Sequence, residues 1–291
     1  KVIMLPRFPG VKTVAFTKRI VAYNLTFAPL GKWKDGRGET TPPVAVTWHQ
    51  GEGGRSATEI ASGYRAFIEH NRDIKNFTFW ADNCSSQKKN WYIFTLFCVL
   101  VNSEKLSSLK SITVKYFEAG HTFMSADSYH HLVEKAMAEM KNVEDWQDFL
   151  DCLNKHGSAL EISSSKFIST PRGLSEKSKR TKNKPLLENV YVVRFIRGSS
   201  KLFWKEKIDE IRFRSSEFLV KKISDNMSKV ENDSPLTYPN GSRGIPKSRV
   251  DGIIGNLCPL MDPIRREFWC NLKTNNEIDH GKEDEGANKM N

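Results

Sequence analysis

The sequence predicts an α/β protein, a mixed sheet flanked by helices, followed by a smaller basic α+β region. Three observations carry this. Runs of strand length alternate with segments of helical period as far as about Asn142. The chain has 291 residues, of which 38% are hydrophobic, enough for one well-buried core and a smaller second unit. Beyond about Asn142 the pattern changes, and Ser158–Glu188 is rich in Ser, Lys and Arg with few large apolar residues.

Thr13–Phe27 and Pro43–His49 are rich in β-branched and aromatic residues, and the turn-forming LGKWKDGRGETTPP between them completes a predicted β-hairpin. In SATEIASGYRAFIEHN, Ser56 or Thr58 caps a helix whose Ile60, Tyr64, Phe67 and Ile68 recur at helical spacing. Ile74–Ala81 is then a short apolar strand ending at Asp82, and Asn90–Val101 an apolar helix. A strand over Ser111–Phe117 follows, then the loop EAGHTFMSA and the helix DSYHHLVEKAMAEM. Such alternation implies parallel strands, with ligand sites beyond their carboxyl ends. Asp145–Asn154 reads as a helix, Leu187–Phe195 as a strand, and Arg243–Leu272 as two short amphipathic segments around a proline turn. The predicted parts are therefore a core over 1–142, a helix plus basic linker over 143–186, an accessory region over 187–273 and a disordered tail over 274–291.

Lys and Arg number 45 against 34 Asp and Glu, a net charge of +11, which favours a polyanionic partner over an acidic small molecule. The five cysteines are widely spaced without a CxxC pair, which argues against a disulfide framework or a zinc finger and for a reducing, intracellular compartment. The longest apolar run, Trp91 to Val101, is about half of what a membrane-spanning helix needs, so no membrane association is expected.

Two segments carry candidate chemistry. In FWADNCSSQKKNW, a carboxylate at the tip of a buried strand places Asp82 either as a metal ligand or as the cap of the next helix. Gln87, Lys88 and Lys89 follow it, either touching a nucleic-acid backbone or forming a solvated helix start. In AGHTFMSADSYHHLVEKAM, Asp127, His131 and Glu134 share one helical face. His121, in the loop before them, either orients a phosphate and shuttles a proton or bonds a backbone carbonyl. The basic cluster Lys177, Lys179, Arg180, Lys182 and Lys184 is either a phosphate-binding segment or a solubilising linker.

The strand and helix order is similar to the ribonuclease H fold from its second strand onward. D-N-C-x-x-Q-x-K-N followed by G-H-T-x-x-x-x-D resembles a family of uncharacterised, transposase-derived animal proteins. KVIMLPRFPG, Tyr23-Asn24-Leu25-Thr26 and the stretch Arg243–Asn271 also look like parts of that family. The resemblance implies a DDE-type core in which three carboxylates hold two Mg²⁺ ions, with Mn²⁺ as a substitute, for DNA phosphodiester cleavage or strand transfer. Asp82 would be the second carboxylate, and the last would be Asp127 or Glu134, with Asp127 favoured because it directly follows the strand-end loop. The first would fall upstream of Lys1, so the chain reads as a fragment that is inactive by itself. Further implications are a DNA partner, a nuclear location and the alternative of a domesticated, catalytically silent binder; assembly into oligomers is left open.

Overall fold

A computed structural model describes residues 1–30, 41–83, 89–118, 124–167, 185–219, 224 and 242–279. The protein is mixed α/β, with mixed sheets flanked by helices. It forms two compact units. The first comprises residues 1–54, 123–165 and 238–291, and the second residues 55–122 and 166–237. The predicted boundary near residue 142 does not separate them.

The first unit is built on a sheet of order β1-β2-β3-β6, with β1 at Val2–Leu5, β2 at Ile20–Phe27, β3 at Val44–His49 and β6 at Ser158–Glu161. The predicted hairpin is present as β2 and β3, which pair antiparallel with Leu25 opposite Val46. The hairpin's first residues differ from expectation, because the β1 ladder begins at Ile20 opposite Leu5 and Lys12–Phe16 coils into a short helix, α1. β6 lies parallel to β3. Both β2 and β3 are apolar and almost wholly buried, which is why they read as continuous apolar runs rather than alternating ones.

Four further helices belong to this unit: α4 (Ser125–Met140), α5 (Trp146–Asn154), α6 (Lys247–Asn256) and α7 (Pro263–Cys270). Leu5 and Ile20 from the sheet share one core with Val133 and Met137 of α4, Phe149 of α5, Ile253 of α6 and Trp269 of α7. Asp145 caps α5 by accepting from the Asp148 amide, and Arg265 of α7 reaches Asp148 at 2.8 Å and Asp145 at 3.6 Å. Residues 274–279, expected to be disordered, instead extend the fold: Thr274–Asn275 forms β11 beside β10 (Ile245–Pro246). Arg249, 4% exposed, forks onto both oxygens of Asp279 and also donates to Gln50 Oε1 at 3.0 Å.

The second unit holds a five-stranded sheet of order β4-β5-β7-β8-β9. β4 (Asn76–Ala81) lies parallel to β5 (Ser111–Tyr116), as the alternation of strands and helices predicts. The remaining neighbours, β7 (Val192–Ile196), β8 (Lys201–Lys205) and β9 (Arg214–Glu217), run antiparallel. Residues 187–219, expected in a separate accessory region, thus complete this sheet, because β7 bonds directly to β5. One face is covered by α2 (Ala57–His70), with a capping box at Ser56 and Glu59, and by α3 (Trp91–Asn102), capped by Asn90. Phe97 of α3 meets Tyr64 of α2 at 5.2 Å, Phe79 of β4 at 6.1 Å and Phe195 of β7 at 5.9 Å between ring centroids. Among the described residues no helix is long and apolar enough to cross a membrane, and Cys98, Cys152, Cys258 and Cys270 are free thiols.

Candidate functional site

Asp82 belongs to the second unit and Asp127 with Glu134 to the first. Each cluster has its own surroundings.

Asp82 follows β4 directly, as its sequence position predicts. Two buried phenols sense it: burial and then the Asp82 charge push the Tyr64 hydroxyl well above the usual tyrosine range, and burial, then Tyr64, then Asp82 do the same to Tyr116. Lys89, expected either to touch a nucleic-acid backbone or to lie at a solvated helix start, is 1% exposed. Its ammonium donates to Asn83 Oδ1 at 2.8 Å and to the Glu188 carbonyl at 3.1 Å, and lies over the rings of Tyr116 and Tyr191 at 5.2 and 5.5 Å. Burial outweighs these partners and the nearby Glu188 charge, bringing Lys89 down to about 8. Lys89 therefore staples the Asp82–Asn83 corner to the start of β7 and presents no charge to a phosphate backbone.

The lowered Lys89 has a stability signature. Folded protein binds fewer protons here than unfolded protein between about pH 8 and 10.5, so stability rises with pH across that window. Tyr64 and Tyr116 act in the opposite sense once unfolded tyrosine ionises near pH 10. Between pH 7 and 9.5 the unfolding free energy of wild type, minus that of Lys89→Met, is expected to grow by about 2 kcal/mol. Urea titrations across this range measure it, and a flat difference would mean that Lys89 titrates as an ordinary lysine.

Asp127 occupies the third position of α4, where its Oδ2 accepts from the Met124 amide at 2.9 Å, closing the helix's first turn. Its Oδ1 lies 3.9 Å from Nδ1 of His130, and His130 Nε2 lies 2.9 Å from Thr26 Oγ1. Thr26 donates to Asn24 Oδ1 at 2.9 Å, so its oxygen is the acceptor for His130 Nε2–H. The side chain that meets Asp127 is thus His130, three residues on, rather than the expected His131, which is exposed. Glu134, two turns farther, pairs with the ammonium of Lys1 and stays half exposed. Asn24 and Thr26 are site neighbours that sequence reasoning missed. Their signal is two polar side chains at alternate positions, hence on one face, of an otherwise apolar strand. The amide nitrogen of buried Asn24 has no hydrogen-bond partner among the described residues.

Elsewhere in the first unit, a cleft of about 480 Å³ is lined by His49, Glu52, Glu267, Phe268, Asn271 and Lys273 among others. Burial lowers the pKa of His49, whose Nδ1 accepts from the Gly51 amide at 3.2 Å, so this imidazole is held neutral. His121, Gln87 and Lys88 lie outside the described residues, as do Lys177, Lys179, Arg180, Lys182 and Lys184. No three His, Cys, Asp or Glu side chains converge as metal ligands among the described residues. Of the carboxylates that the resemblance assigns to Mg²⁺, Asp82 belongs to the second unit, and Asp127 and Glu134 to the first.

Residues 71–169, about a third of the chain, match the family described as Domain of unknown function (DUF7869), a span that includes both acidic motifs. No curated protein and no solved structure matches the chain.

Proposed function

We propose that this chain is a DNA-binding protein of transposase descent whose DNA contacts are carried by the second unit. The supporting observation is the partition of charge. The second unit's sequence, residues 55–122 and 166–237, has 26 Lys and Arg against 15 Asp and Glu, whereas the first unit has 19 of each. The whole excess of +11 therefore belongs to one unit. A charge imbalance confined to one unit is the footprint expected of a polyanion-binding surface, and nucleic acid is the polyanion that the sequence resemblance favours. The finer reading, a ribonuclease H-like core whose ancestors cleaved or joined DNA strands with Mg²⁺, draws on the D-N-C-x-x-Q-x-K-N and G-H-T-x-x-x-x-D motifs and on the α/β class. The charge partition supports binding whether or not cleavage is retained.

The test is duplex-DNA affinity as a function of salt. Replacing Lys177, Lys179 and Lys182 by Ala is expected to weaken binding and to flatten the slope of log K against log salt by about 0.9 for each phosphate that the variant no longer neutralises. Equal affinity and slope in wild type and variant would remove this segment from the interface. Failure of wild type to bind any DNA at low salt would overturn the proposal. Nicking of supercoiled plasmid with Mg²⁺ or Mn²⁺, lost in Asp82→Asn and Asp127→Asn, would add the enzymatic reading.

A further inference from the structure

The five-stranded sheet of the second unit has one face covered by α2 and α3 and one face that neither helix covers. The pleat sorts the residues. Phe77, Phe79, Ile112, Val114, Val193 and Phe195 point toward the helices, where Phe77 meets Phe67 and Phe79 meets Phe97. The alternate residues form the other face, and the strand registers arrange them in rows. One row runs Trp80, Lys115, Val192, Lys205 across four strands. A second runs Thr78, Thr113, Arg194, Phe203, Ser215 across all five. With strands about 4.8 Å apart, the second row spans roughly 19 Å, and the rows lie about 7 Å from one another.

This face has a distinctive chemistry. Trp80 and Phe203 are partly exposed aromatics, and Lys115 stands 5.0 Å over the Trp80 ring. Lys115, Arg194 and Lys201 make no ion pair among the described residues, and the row through Arg194 sets it between Thr113 and Phe203 rather than beside a carboxylate. The Arg194 Nε, itself buried, has no hydrogen-bond partner among the described residues, while the side chain as a whole is partly exposed. Glu217, opposite Lys201 at the β9 rim, is the one carboxylate in these paired positions. Glu206 and Glu210, which follow β8, are engaged by Arg214.

We infer that this second sheet face, on which Val192 is buried but Trp80, Phe203, Lys115 and Arg194 are partly exposed and Lys201 is exposed, binds single-stranded DNA, with Trp80 and Phe203 stacking on bases and Lys115, Arg194 and Lys201 contacting phosphates. Aromatic rings among unpaired cations on a flat surface suit a flexible strand whose bases are unstacked and accessible. A duplex offers its charge but hides the faces of its bases. An acidic peptide would satisfy the cations but leave the two rings without a stacking partner. The identification of DNA rests on the function proposed above, whereas the geometry of the platform stands by itself.

Fluorescence anisotropy of the full chain with labelled oligo(dT), oligo(rU) and duplex DNA tests the inference. Wild type is expected to bind oligo(dT) at least as tightly as oligo(rU), and Phe203→Leu and Trp80→Leu to weaken oligo(dT) binding about tenfold each. Duplex binding should change little. The double variant Lys115→Gln/Arg194→Gln, at partly exposed positions that leave the core intact, should flatten the oligo(dT) salt slope by about 1.4, some 0.7 per phosphate. Should an aromatic variant fail to fold, this double variant decides alone. An unchanged slope with unchanged affinity overturns the inference, as does preference for oligo(rU). Wild type that binds duplex DNA but not oligo(dT) also overturns it while leaving the proposed function intact, and failure to bind any DNA removes both.

Discussion

Phe97→Ala is expected to destabilise the protein by about 3 to 5 kcal/mol, the larger of the effects anticipated in the second unit. Phe97 is fully buried, and its ring lies within about 6 Å of rings from α2, β4 and β7, so one truncation opens a cavity between both covering helices and the sheet. Its aromatic neighbours are held by strands and by a capped helix, which restricts how far they can collapse into the space. Phe97→Leu retains most of the volume and should cost nearer 1 kcal/mol. The measurement is the urea midpoint at constant slope for both variants. Equal and small losses would show that the aromatic cluster is loosely packed and that helix cover over this sheet is held by something else.

In the first unit the comparable effect is expected from Arg249→Leu, again about 3 to 5 kcal/mol, but for an electrostatic reason. The guanidinium is 3% exposed and supplies donors to Asp279, to Gln50 and to the Arg19 carbonyl at 3.3 Å. Removing it leaves a nearly buried carboxylate whose ion pair with Lys18, at 3.6 Å, does not replace the lost fork. The cost lies in the uncompensated Asp279 rather than in the missing attraction, so the double variant Arg249→Leu/Asp279→Leu should regain a large part of it. A double variant no better than the single one would place the effect in packing around α6 instead.

Local structure was legible because it is written in neighbouring residues. Ser56 with Glu59, Asn90 and Asp145 announce helix starts, and the β-branched and aromatic runs announce β2, β3, β4 and β5. The grouping of strands into two sheets was not legible. It depends on β7 choosing β5 and on β6 choosing β3, pairings between segments 80 and more than 100 residues apart that no local pattern encodes. β8 and β9 are hard to read because KLFWK and RSSE are short and charged or polar on the side the helices leave open. The candidate site divides in the same way. Asp82 stands at a strand tip as its sequence position indicates, but the inward turn of Lys89 depends on Tyr191 and the Glu188 carbonyl, about 100 residues away. Helical spacing places both His130 and His131, three and four residues on, within reach of Asp127, while Thr26 on a distant strand engages His130.

The path of the chain through the two units also bears on what a shorter piece of it would do. Residues 71–169 include β4, β5 and β6, but β6 has its only described sheet neighbour in β3 and β5 has its second in β7, both outside that span. Excised at those limits, the segment would carry two strand edges stripped of their native partners, one of them along the apolar β5. Unprotected edges of this kind recruit other chains, so the matched span defines a unit of sequence comparison whose isolated form would tend to aggregate rather than fold.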